Sequence, residues 1–511
     1  MDRSKGEWSF AGLKSRSLLW LLIACAAIFR IILAAHLVPD GLFDDGYITF
    51  RYARNLARGF GLVFNPGEHV LGTTSPLFTF LLAAGARLFG AHYIEHVAVT
   101  LGILFSLCSI YFSERALDIA SIPEEVKWTF VSLLCFLPSF LTNATSGMET
   151  PLVLFLMALS FYLYVQDRLS ALAIVGGLLF LSRIDTGIWL MALGLAILFA
   201  TMRKPFAVLL RPLLIFCAIV GAWLCFTRIY FGSIIPQSVV GKAVSHAAFV
   251  LPDANYTLTF LSAFIPALRF GIWGLLVVAF VFLLLLPPAI DLCKKYPLAR
   301  PVVFFFPLYV GLFLASHAPL FSWYVMPPKW GFYLLAIYAL HFYALRILAL
   351  FHLPEAAIRA LPALGLVLFF LAVVAVKREV ASPLFVPVAA IADYIQENLP
   401  ANSKIFLEHI GLIGYKTDRY IYDYMGLVTP ETTRLRKAYG PSWLPKAARK
   451  YDADMVVLYN ADIPVIQSTR DADALWFQAN YSHLRDYVLP DLTISVFLKN
   501  PSASASSRAN P

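Results

Sequence analysis

Residues 18–45 read LLWLLIACAAIFRIILAAHLVPDGLFDD, and they join an apolar run of membrane-spanning length to two adjacent carboxylates, Asp44 and Asp45. A helix needs about 20 apolar residues to cross the hydrocarbon core of a bilayer. Carboxylates at this boundary are costly to desolvate, and such groups tend to mark ion, proton or substrate sites. The stretch therefore predicts a membrane protein whose chemistry lies at the acidic pair.

The composition of the whole chain supports this class. The 511 residues are 60% hydrophobic and only 14% charged, and the mean hydropathy is +0.73. Apolar runs of this kind predict a polytopic α-helical membrane protein with roughly eleven transmembrane helices, within a range of about eleven to thirteen. The predicted spans begin near Leu18, His96, Val126, Met148, Leu169, Gly187, Val208, Phe270, Val302, Gly331 and Leu361. The first span is predicted to be a retained signal anchor, because Arg30 interrupts it and no A-x-A cleavage site follows.

The basic residues orient these spans. The net charge of +9 lies largely in short connections, where the positive-inside bias places it, so it does not indicate a nucleic-acid partner. The predicted cytoplasmic connections carry Arg203, Lys204, Arg211, Lys294, Lys295, Arg300, Arg346 and Arg359. Counting outward from them predicts that loops 39–74, 143–148, 183–186, 230–266 and 319–328, and the chain after Lys377, are extracytoplasmic. Segment 75–89 is too short to span and is predicted to be interfacial or re-entrant.

The composition changes near Pro387, and this change predicts a domain boundary. A transmembrane module is predicted over 1–380, an extracytoplasmic α/β domain over 381–500 and a disordered tail over 501–511. Within the outer domain, IADYIQENLP and WLPKAARKYDA predict helices. The stretches SKIFLEHIG, RYIYDYMG, DMVVLY and LTISVFLK predict short strands.

The acidic pair suits proton transfer. An apolar wall raises the proton affinity of a carboxylate, whereas a neighbouring cation keeps it ionised, so two adjacent acids can take different roles. One acid would act as general base on an acceptor hydroxyl, and the other would position groups or bind a cation. Mg²⁺ and Mn²⁺ favour oxygen ligands, but two carboxylates alone do not establish a metal site, and metal dependence stays open.

Further polar residues fall on the same predicted side of the membrane. The segment after the pair, 47–56, reads as an amphipathic helix along the interface, and Arg51 lies on it; arginines that snorkel from a floating helix are the simpler interpretation. Cations there would suit a phosphate group, and an aromatic ring would stack on a sugar. The candidates for binding a donor phosphate or substrate are Arg51, Glu149, Arg183, Asp185, Lys242 and Tyr324. Salt bridges, helix caps and an aromatic interface belt explain most of them equally well.

Several common active-site motifs are missing from the sequence. It contains no Walker loop, no G-x-G-x-x-G after a strand, no H-E-x-x-H and no paired Cys motif. ATP coupling and nicotinamide chemistry are therefore disfavoured.

An acidic pair directly after an N-terminal span resembles the GT-C glycosyltransferases, multispan enzymes that use polyprenyl-phosphate sugars. The stretch 44–68, DDGYITFRYARNLARGFGLVFNPGE, followed by GTTSPL, is similar to the bacterial branch that contains the mycobacterial terminal arabinofuranosyltransferase. Weaker similarities are TSGMET, LSRID, RIYFGSIIPQSVVGK and IGLIGYKTDRYIYDYMGLVTPE.

This resemblance implies a GT-C-like transmembrane module in the bacterial inner membrane, with the active site and the C-terminal domain extracytoplasmic. It implies inverting transfer from a polyprenyl-phosphate sugar to an envelope glycan or lipid. Asp44 would be the general base and Asp45 a supporting acid, with Arg183 and Lys242 near the donor phosphate. Many relatives have Pro before the acid where this chain has LSRID, which leaves the role of Asp185 open, and the donor sugar does not carry over.

Two other functions compete with glycosyl transfer. A transporter or flippase of a lipid-linked saccharide would commonly show internal repeats and ionisable groups at the membrane midplane, and the sequence shows neither clearly. A non-catalytic scaffold would leave the acidic pair unexplained. The sequence therefore favours an enzyme.

Overall fold

The computed structural model describes residues 10–40, 42–201, 207–246, 253–262, 264, 271–317, 321–352, 385–490 and 492–501. The span predicted near Leu361 and the tail after residue 501 lie outside these residues. The chain divides into two compact units. The first takes its residues from Met1–Pro39, Ala98–Val220 and Leu251–Val380, and the second from Asp40–Val97, Gly221–Val250 and Ala381–Pro511. The domain boundaries drawn from the sequence stay a prediction.

Helices dominate the described chain. The helices up to residue 350 are α1 Phe10–Asp40, α2 Asp44–Ala57, α3 Pro76–Phe89, α4 Ile94–Ile119, α5 Glu124–Phe136, α6 Pro138–Ala144, α7 Thr150–Val165, α8 Leu169–Ser182, α9 Gly187–Thr201, α10 Ala207–Phe231, α11 Gln237–His246, α12 Asp253–Ser262, α13 Gly271–Lys295, α14 Arg300–Ser316 and α15 Met326–Leu350. A short 3₁₀ turn, Ile184–Thr186, joins α8 to α9.

Five described helices are long and apolar enough to cross a membrane, or six if the bent pair α5–α6 forms one span. The five segments are Arg16–Ala35, Ala91–Ile119, Ala207–Phe231, Pro297–Ser316 and Met326–Leu350. The spans predicted from Met148, Leu169 and Gly187 are shorter apolar helices, because polar turns at 146–149 and 183–186 interrupt the runs. The protein is an integral membrane protein, and the described part contains fewer full-length spans than the predicted eleven.

The bend between α5 and α6 has a visible cause. Pro138 has no N–H to donate to the carbonyl of Leu134, so the helix ladder breaks there. The guanidinium of Arg30 donates to Leu134 O and to Cys135 O, both at 2.9 Å, and also to Ser106 Oγ at 3.0 Å. Arg30 is fully buried, and it satisfies the carbonyls that the break would otherwise leave without donors.

Two indole rings pack together in the core of the first unit. Trp189 and Trp330 are fully buried and meet edge to face at 5.7 Å between ring centroids. Each indole N–H donates to a serine hydroxyl, Trp189 to Ser160 at 2.8 Å and Trp330 to Ser113 at 3.1 Å. The rings therefore bury apolar area without leaving a polar group unsatisfied.

The C-terminal part of the second unit is the predicted α/β domain. Its helices are α16 Phe385–Asn398, α17 Ile410–Thr417, α18 Pro430–Tyr439, α19 Trp443–Tyr451, α20 Ile463–Ile466 and α21 Ala472–Asn480. Its strands are β1 Lys404–Leu407, β2 Tyr420–Asp423, β3 Met455–Tyr459, β4 Tyr481–Val488 and β5 Thr493–Lys499.

These strands form one sheet in the order β2-β1-β3-β5-β4. The pairs β1–β2 and β1–β3 are parallel, and the pairs β3–β5 and β4–β5 are antiparallel. Four strands are those expected from their apolar sequences. Strand β4 was not predicted, because most of its side chains are exposed and no apolar alternation marks it.

Candidate active site at the first acidic pair

Asp44 and Asp45 are the first two residues of α2, and both are partly exposed. Acidic side chains in the first turn interact favourably with the positive end of the helix dipole. The next ten residues of α2 are buried, because α2 packs against α17 and α3. The burial of Arg51 excludes an arginine that snorkels from a floating helix, whereas the interfacial position of 47–56 stays a prediction.

Backbone amides at the start of α17 hold the carboxylate of Asp44. Its Oδ1 accepts a hydrogen bond from Leu412 N at 2.8 Å, and its Oδ2 accepts one from Gly411 N at 3.2 Å. Both oxygens are thereby oriented by a domain that is distant in sequence. Two amide donors favour the ionised form of a carboxylate.

Asp45 faces a cation on α11. Lys242 Nζ lies 3.2 Å from Asp45 Oδ2, and the Asp45 side chain is 30% exposed. Helix α11 is itself fixed to the C-terminal domain, since Gln237 Nε2 donates to Gly426 O at 2.9 Å and Ser245 Oγ donates to Met425 O at 3.0 Å. Three predicted site residues, Asp44, Asp45 and Lys242, therefore lie together in the second unit.

Burial raises the pKa of Asp44 above its ordinary value. The charge of His409 and the two amide hydrogen bonds lower this pKa, and the charge of Asp45 raises it, but the effect of burial is the largest. A carboxylate with a raised pKa accepts a proton more readily, which suits a general base provided that it stays ionised at the working pH.

Two titratable residues at the end of β1, Glu408 and His409, were not predicted. Burial raises the pKa of Glu408 to about 7, with further increases from the charges of Asp462, Asp423 and Asp44. His409 precedes α17, and its Nδ1 makes a hydrogen bond with the hydroxyl of Tyr459 on β3. The signal was available, because polar residues at the carboxyl ends of parallel strands commonly face sites.

Arg51 has contacts that give it a structural role. It is 1% exposed, and its guanidinium donates to Phe64 O at 2.8 Å, to Asn65 Oδ1 at 3.2 Å and to Arg419 O at 2.8 Å. These bonds join α2, the following loop and the C-terminal domain. The predicted contact of Arg51 with a donor phosphate gains no support from this geometry, because its partners are protein oxygens in the interior.

The remaining predicted residues come together in the first unit. Arg183 is 1% exposed and makes two bonds to Asp185, Nε to Oδ1 at 2.7 Å and Nη2 to Oδ2 at 2.9 Å. Glu149 Oε1 lies 3.6 Å from Arg183 Nη1, and the guanidinium carbon lies 5.2 Å from the centre of the Tyr324 ring. The hydroxyl of Tyr309 donates to Tyr324 O at 2.6 Å and lies 3.2 Å from Asp185 Oδ2.

This ion cluster, defined by Glu149, Arg183 and Asp185, has one cation for two carboxylates. Its formal charge is negative, so an added phosphate would meet net repulsion. The alternative of a structural salt bridge, which the sequence left open, fits the burial and the bidentate geometry. Binding of a donor phosphate by Arg183 stays a prediction without geometric support.

A divalent cation at the acidic pair stays a prediction, and the donors around the pair bear on it. The described residues contain no group of three or more His, Cys, Asp or Glu side chains placed to hold a metal ion. Both oxygens of Asp44 accept amide hydrogen bonds, and Asp45 faces Lys242. A divalent cation needs further oxygen ligands than these two side chains supply.

Comparison with known sequences gives two partial matches. The model of a domain of unknown function, DUF8728, matches residues 377–505. The terminal β-(1→2)-arabinofuranosyltransferase of Mycobacterium tuberculosis is 33% identical over 152 residues, which is 26% of this chain and 24% of the relative. The match thus spans about a quarter of that relative's length, and it confirms the resemblance stated from the acidic motif.

Comparison with solved structures identifies the fold. The crystal structure of ArnT from Cupriavidus metallidurans in the apo state has a TM-score of 0.56 at 14% identity, over 98% of this chain and 100% of that chain. The oligosaccharyltransferase of Archaeoglobus fulgidus in the apo form has a TM-score of 0.55 at 12% identity, over 94% and 74%. At these identities the likeness is one of fold, and the chain has the GT-C-like fold with a small C-terminal α/β domain.

Proposed function

We propose that this protein is a GT-C-type membrane glycosyltransferase that moves a sugar from a polyprenyl-phosphate carrier to a cell-envelope glycan or lipid. The observation that carries this proposal is the carboxylate of Asp44, which is partly exposed, raised in pKa and oriented by two amide donors. A carboxylate that is oriented by fixed donors and still partly exposed suits general base catalysis.

The proposed reaction is a single inverting displacement. The oxygen of an acceptor hydroxyl attacks the anomeric carbon of the donor sugar, and its proton passes to Asp44. The bond between that carbon and the phosphate oxygen breaks, and the polyprenyl phosphate leaves with the electron pair. Lys242 lies beside the acidic pair, where a fixed cation would stabilise the charge that develops on the leaving phosphate.

The comparisons support a lipid-linked donor. The M. tuberculosis relative is named an arabinofuranosyltransferase. A second ArnT structure, with a TM-score of 0.52, is bound to undecaprenyl phosphate. A structure of the archaeal oligosaccharyltransferase contains a dolichol-phosphate and an inhibitory peptide. Polyprenyl-phosphate arabinofuranose is therefore the first donor to test, with an envelope glycan as the first acceptor.

We further propose that the active site faces the outside of a bacterial inner membrane. The distribution of Lys and Arg between the loops supports this orientation. Single cysteines introduced within 39–74 or 400–450 are expected to react with a membrane-impermeant reagent applied from outside. Labelling only when the reagent has access to the cytoplasmic side would show that the orientation is the opposite one.

A divalent cation at Asp44 and Asp45 stays a proposal from the sequence, and the observed donor set does not fit it well. We expect chelation with EDTA to change the rate of sugar transfer by no more than about twofold, since the acids already have amide and ammonium partners. A larger loss that Mg²⁺ or Mn²⁺ restores would show that a metal completes the site.

The test of the proposed function is sugar transfer by purified protein in lipid vesicles. Wild-type protein is expected to transfer radiolabelled sugar from polyprenyl phosphate to an acceptor, and Asp44→Asn is expected to lose about 10²–10⁴-fold in rate, the usual contribution of a general base. Movement of the intact donor across the bilayer without transfer would instead identify a flippase. Transfer by Asp44→Asn at the wild-type rate would remove Asp44 as the base.

A further inference from the structure

We infer that the C-terminal domain is a working part of the active site, because helix α17 of that domain orients the carboxylate of Asp44. Its catalytic consequence rests on the proposed function. The matching family model, over residues 377–505, describes a domain of unknown function. The inference gives this domain a role: its backbone amides at Gly411 and Leu412 hold the general base in one orientation.

The hydrogen-bond pattern at the start of α17 is that of a helix cap supplied by another element. The first four N–H groups of a helix lack partners inside the helix, and a side chain at the residue before it usually accepts one or two of them. That residue is His409, whose side chain makes no capping bond. Asp44 accepts from the second and third residues of α17 instead.

Gly411 makes this contact possible. A Cβ atom on Gly411 would lie 1.9 Å from the carbonyl oxygen of Asp44 and 2.9 Å from its Cγ. A side chain at this position would therefore push α17 away from the base. The requirement is one of space, and it is met by glycine because the two backbones are in contact.

Gly414 lies one helical turn further along the same helix and serves as the matched control. A Cβ atom there would lie 2.6 Å from Arg51 Nη1 and 3.0 Å from the ring of Phe64. Alanine at Gly414 therefore disturbs the packing of α17 against α2 without touching Asp44. The comparison separates the orientation of the base from general packing of the domain.

The effect on protonation has a definite sign. The two amide bonds lower the pKa of Asp44, so their loss leaves a carboxylate that binds its proton more tightly. In a plot of rate against pH, the fall in rate on the acidic side (the acid limb) would then move to higher pH. The other charged or titratable groups coupled to Asp44 are Tyr47, Asp45, Glu408, His409 and Tyr459, and Lys242 faces Asp45.

Hydrogen–deuterium exchange tests the contact without relying on any activity. In full-length protein, the amides of Gly411 and Leu412 are expected to be protected, although amides at a helix start normally exchange fast. Asp44→Ala is expected to speed their exchange about tenfold or more, whereas Asp45→Ala leaves it unchanged. Asp44→Asn, which keeps one acceptor oxygen, is a second variant should Asp44→Ala fold poorly. Fast exchange in wild-type protein, or equal exchange in all variants, would overturn the inference.

Kinetics test the catalytic consequence. Gly411→Ala is expected to lower kcat about 10²-fold, the scale for a misplacement of about 1 Å, with a much smaller change in KM and an upward shift of the acid limb. Gly414→Ala, compared per folded molecule, is expected to keep the wild-type acid limb. If Gly411→Ala matched Gly414→Ala in both kcat and acid limb, orientation of the base by α17 would be excluded while glycosyl transfer stood. If wild-type protein transferred no sugar, the proposed function would fail. The exchange experiment would still show whether Asp44 binds the amides of Gly411 and Leu412.

Discussion

Two groups of acids in this molecule have opposite surroundings. In the second unit, Asp44 and Asp45 are partly exposed and meet two backbone amides and one lysine. In the first unit, the ion cluster of Glu149, Arg183 and Asp185 surrounds a guanidinium that is 1% exposed. The first arrangement keeps both carboxylates partly exposed, whereas in the second the guanidinium of Arg183 is bound to Asp185 and buried.

The difference shows that a carboxylate's hydrogen-bond and ion-pair partners, rather than its residue type, distinguish a candidate active site from a structural ion pair. Amide donors orient a carboxylate and leave its charge uncompensated, so the carboxylate can still take a proton. A bidentate guanidinium neutralises the acid that it orients. Both groups carry predicted site residues, and this difference in partners supports the proposal that the chemistry lies at Asp44 and Asp45.

The largest effect is expected from breaking the ion cluster. Arg183→Ala would leave two acids close together in the interior without a cation, and removing one partner of a buried ion pair typically costs about 3–5 kcal/mol of stability. Thermal unfolding of the detergent-solubilised protein measures this loss. Arg183→Lys keeps the charge but not the bidentate geometry, so it should fall between wild type and alanine. An unfolding temperature unchanged by Arg183→Ala would refute the structural assignment.

A smaller effect is expected at the cation of the acidic pair. Lys242 pairs with an acid whose side chain is 30% exposed, so its contribution is modest, and Lys242→Met is expected to lower kcat/KM about tenfold. Lys242→Arg, which keeps the charge, is the control. Comparing Lys242→Met with Lys242→Arg shows whether the positive charge contributes to catalysis. Equal rates for both variants and wild type would exclude a contribution of this charge.

The smallest effect concerns Glu408, next to the acidic pair. Its pKa of about 7 in the folded protein exceeds the ordinary value of 4.5, so folding favours the protonated form. The contribution of Glu408 to stability is therefore most favourable below about pH 4.5, falls as the pH rises from about 4.5 to about 7, and is constant above that. Glu408→Gln is expected to match wild type in unfolding temperature near pH 5 and to exceed it by a few degrees near pH 8. A constant difference across this range would show that Glu408 does not titrate there.

The fold was predictable where buried elements have a recognisable apolar sequence pattern. The strands β1, β2, β3 and β5 are apolar, and the sequence places them correctly. The exposed strand β4 carries no such pattern. The described residues contain fewer full-length spans than the eleven predicted, because polar turns and prolines keep several apolar helices short and the span predicted near Leu361 lies outside those residues.

The sequence predicted Asp44, Asp45 and Lys242 of the candidate site, but not the two backbone amides that bind Asp44. Asp44 and Asp45 stand out because charge beside an apolar run is rare. The amides that bind Asp44 cannot be recognised in the sequence. Gly411 N lies 367 positions away, and every residue except proline has a backbone amide, so no residue type marks this donor. The role predicted for Arg51 stays a prediction, and its observed hydrogen bonds go to Phe64 O, Asn65 Oδ1 and Arg419 O inside the protein.

The most direct test of this account compares Asp44→Asn with Glu149→Gln, with sugar transfer measured per folded molecule. Both changes remove one negative charge and keep the side-chain shape. We expect Asp44→Asn to fold normally and to lose about 10²–10⁴-fold in rate, whereas Glu149→Gln should transfer sugar within a few-fold of wild type. The opposite result, an active Asp44→Asn and an inactive but folded Glu149→Gln, would place the chemistry at the ion cluster and contradict the account.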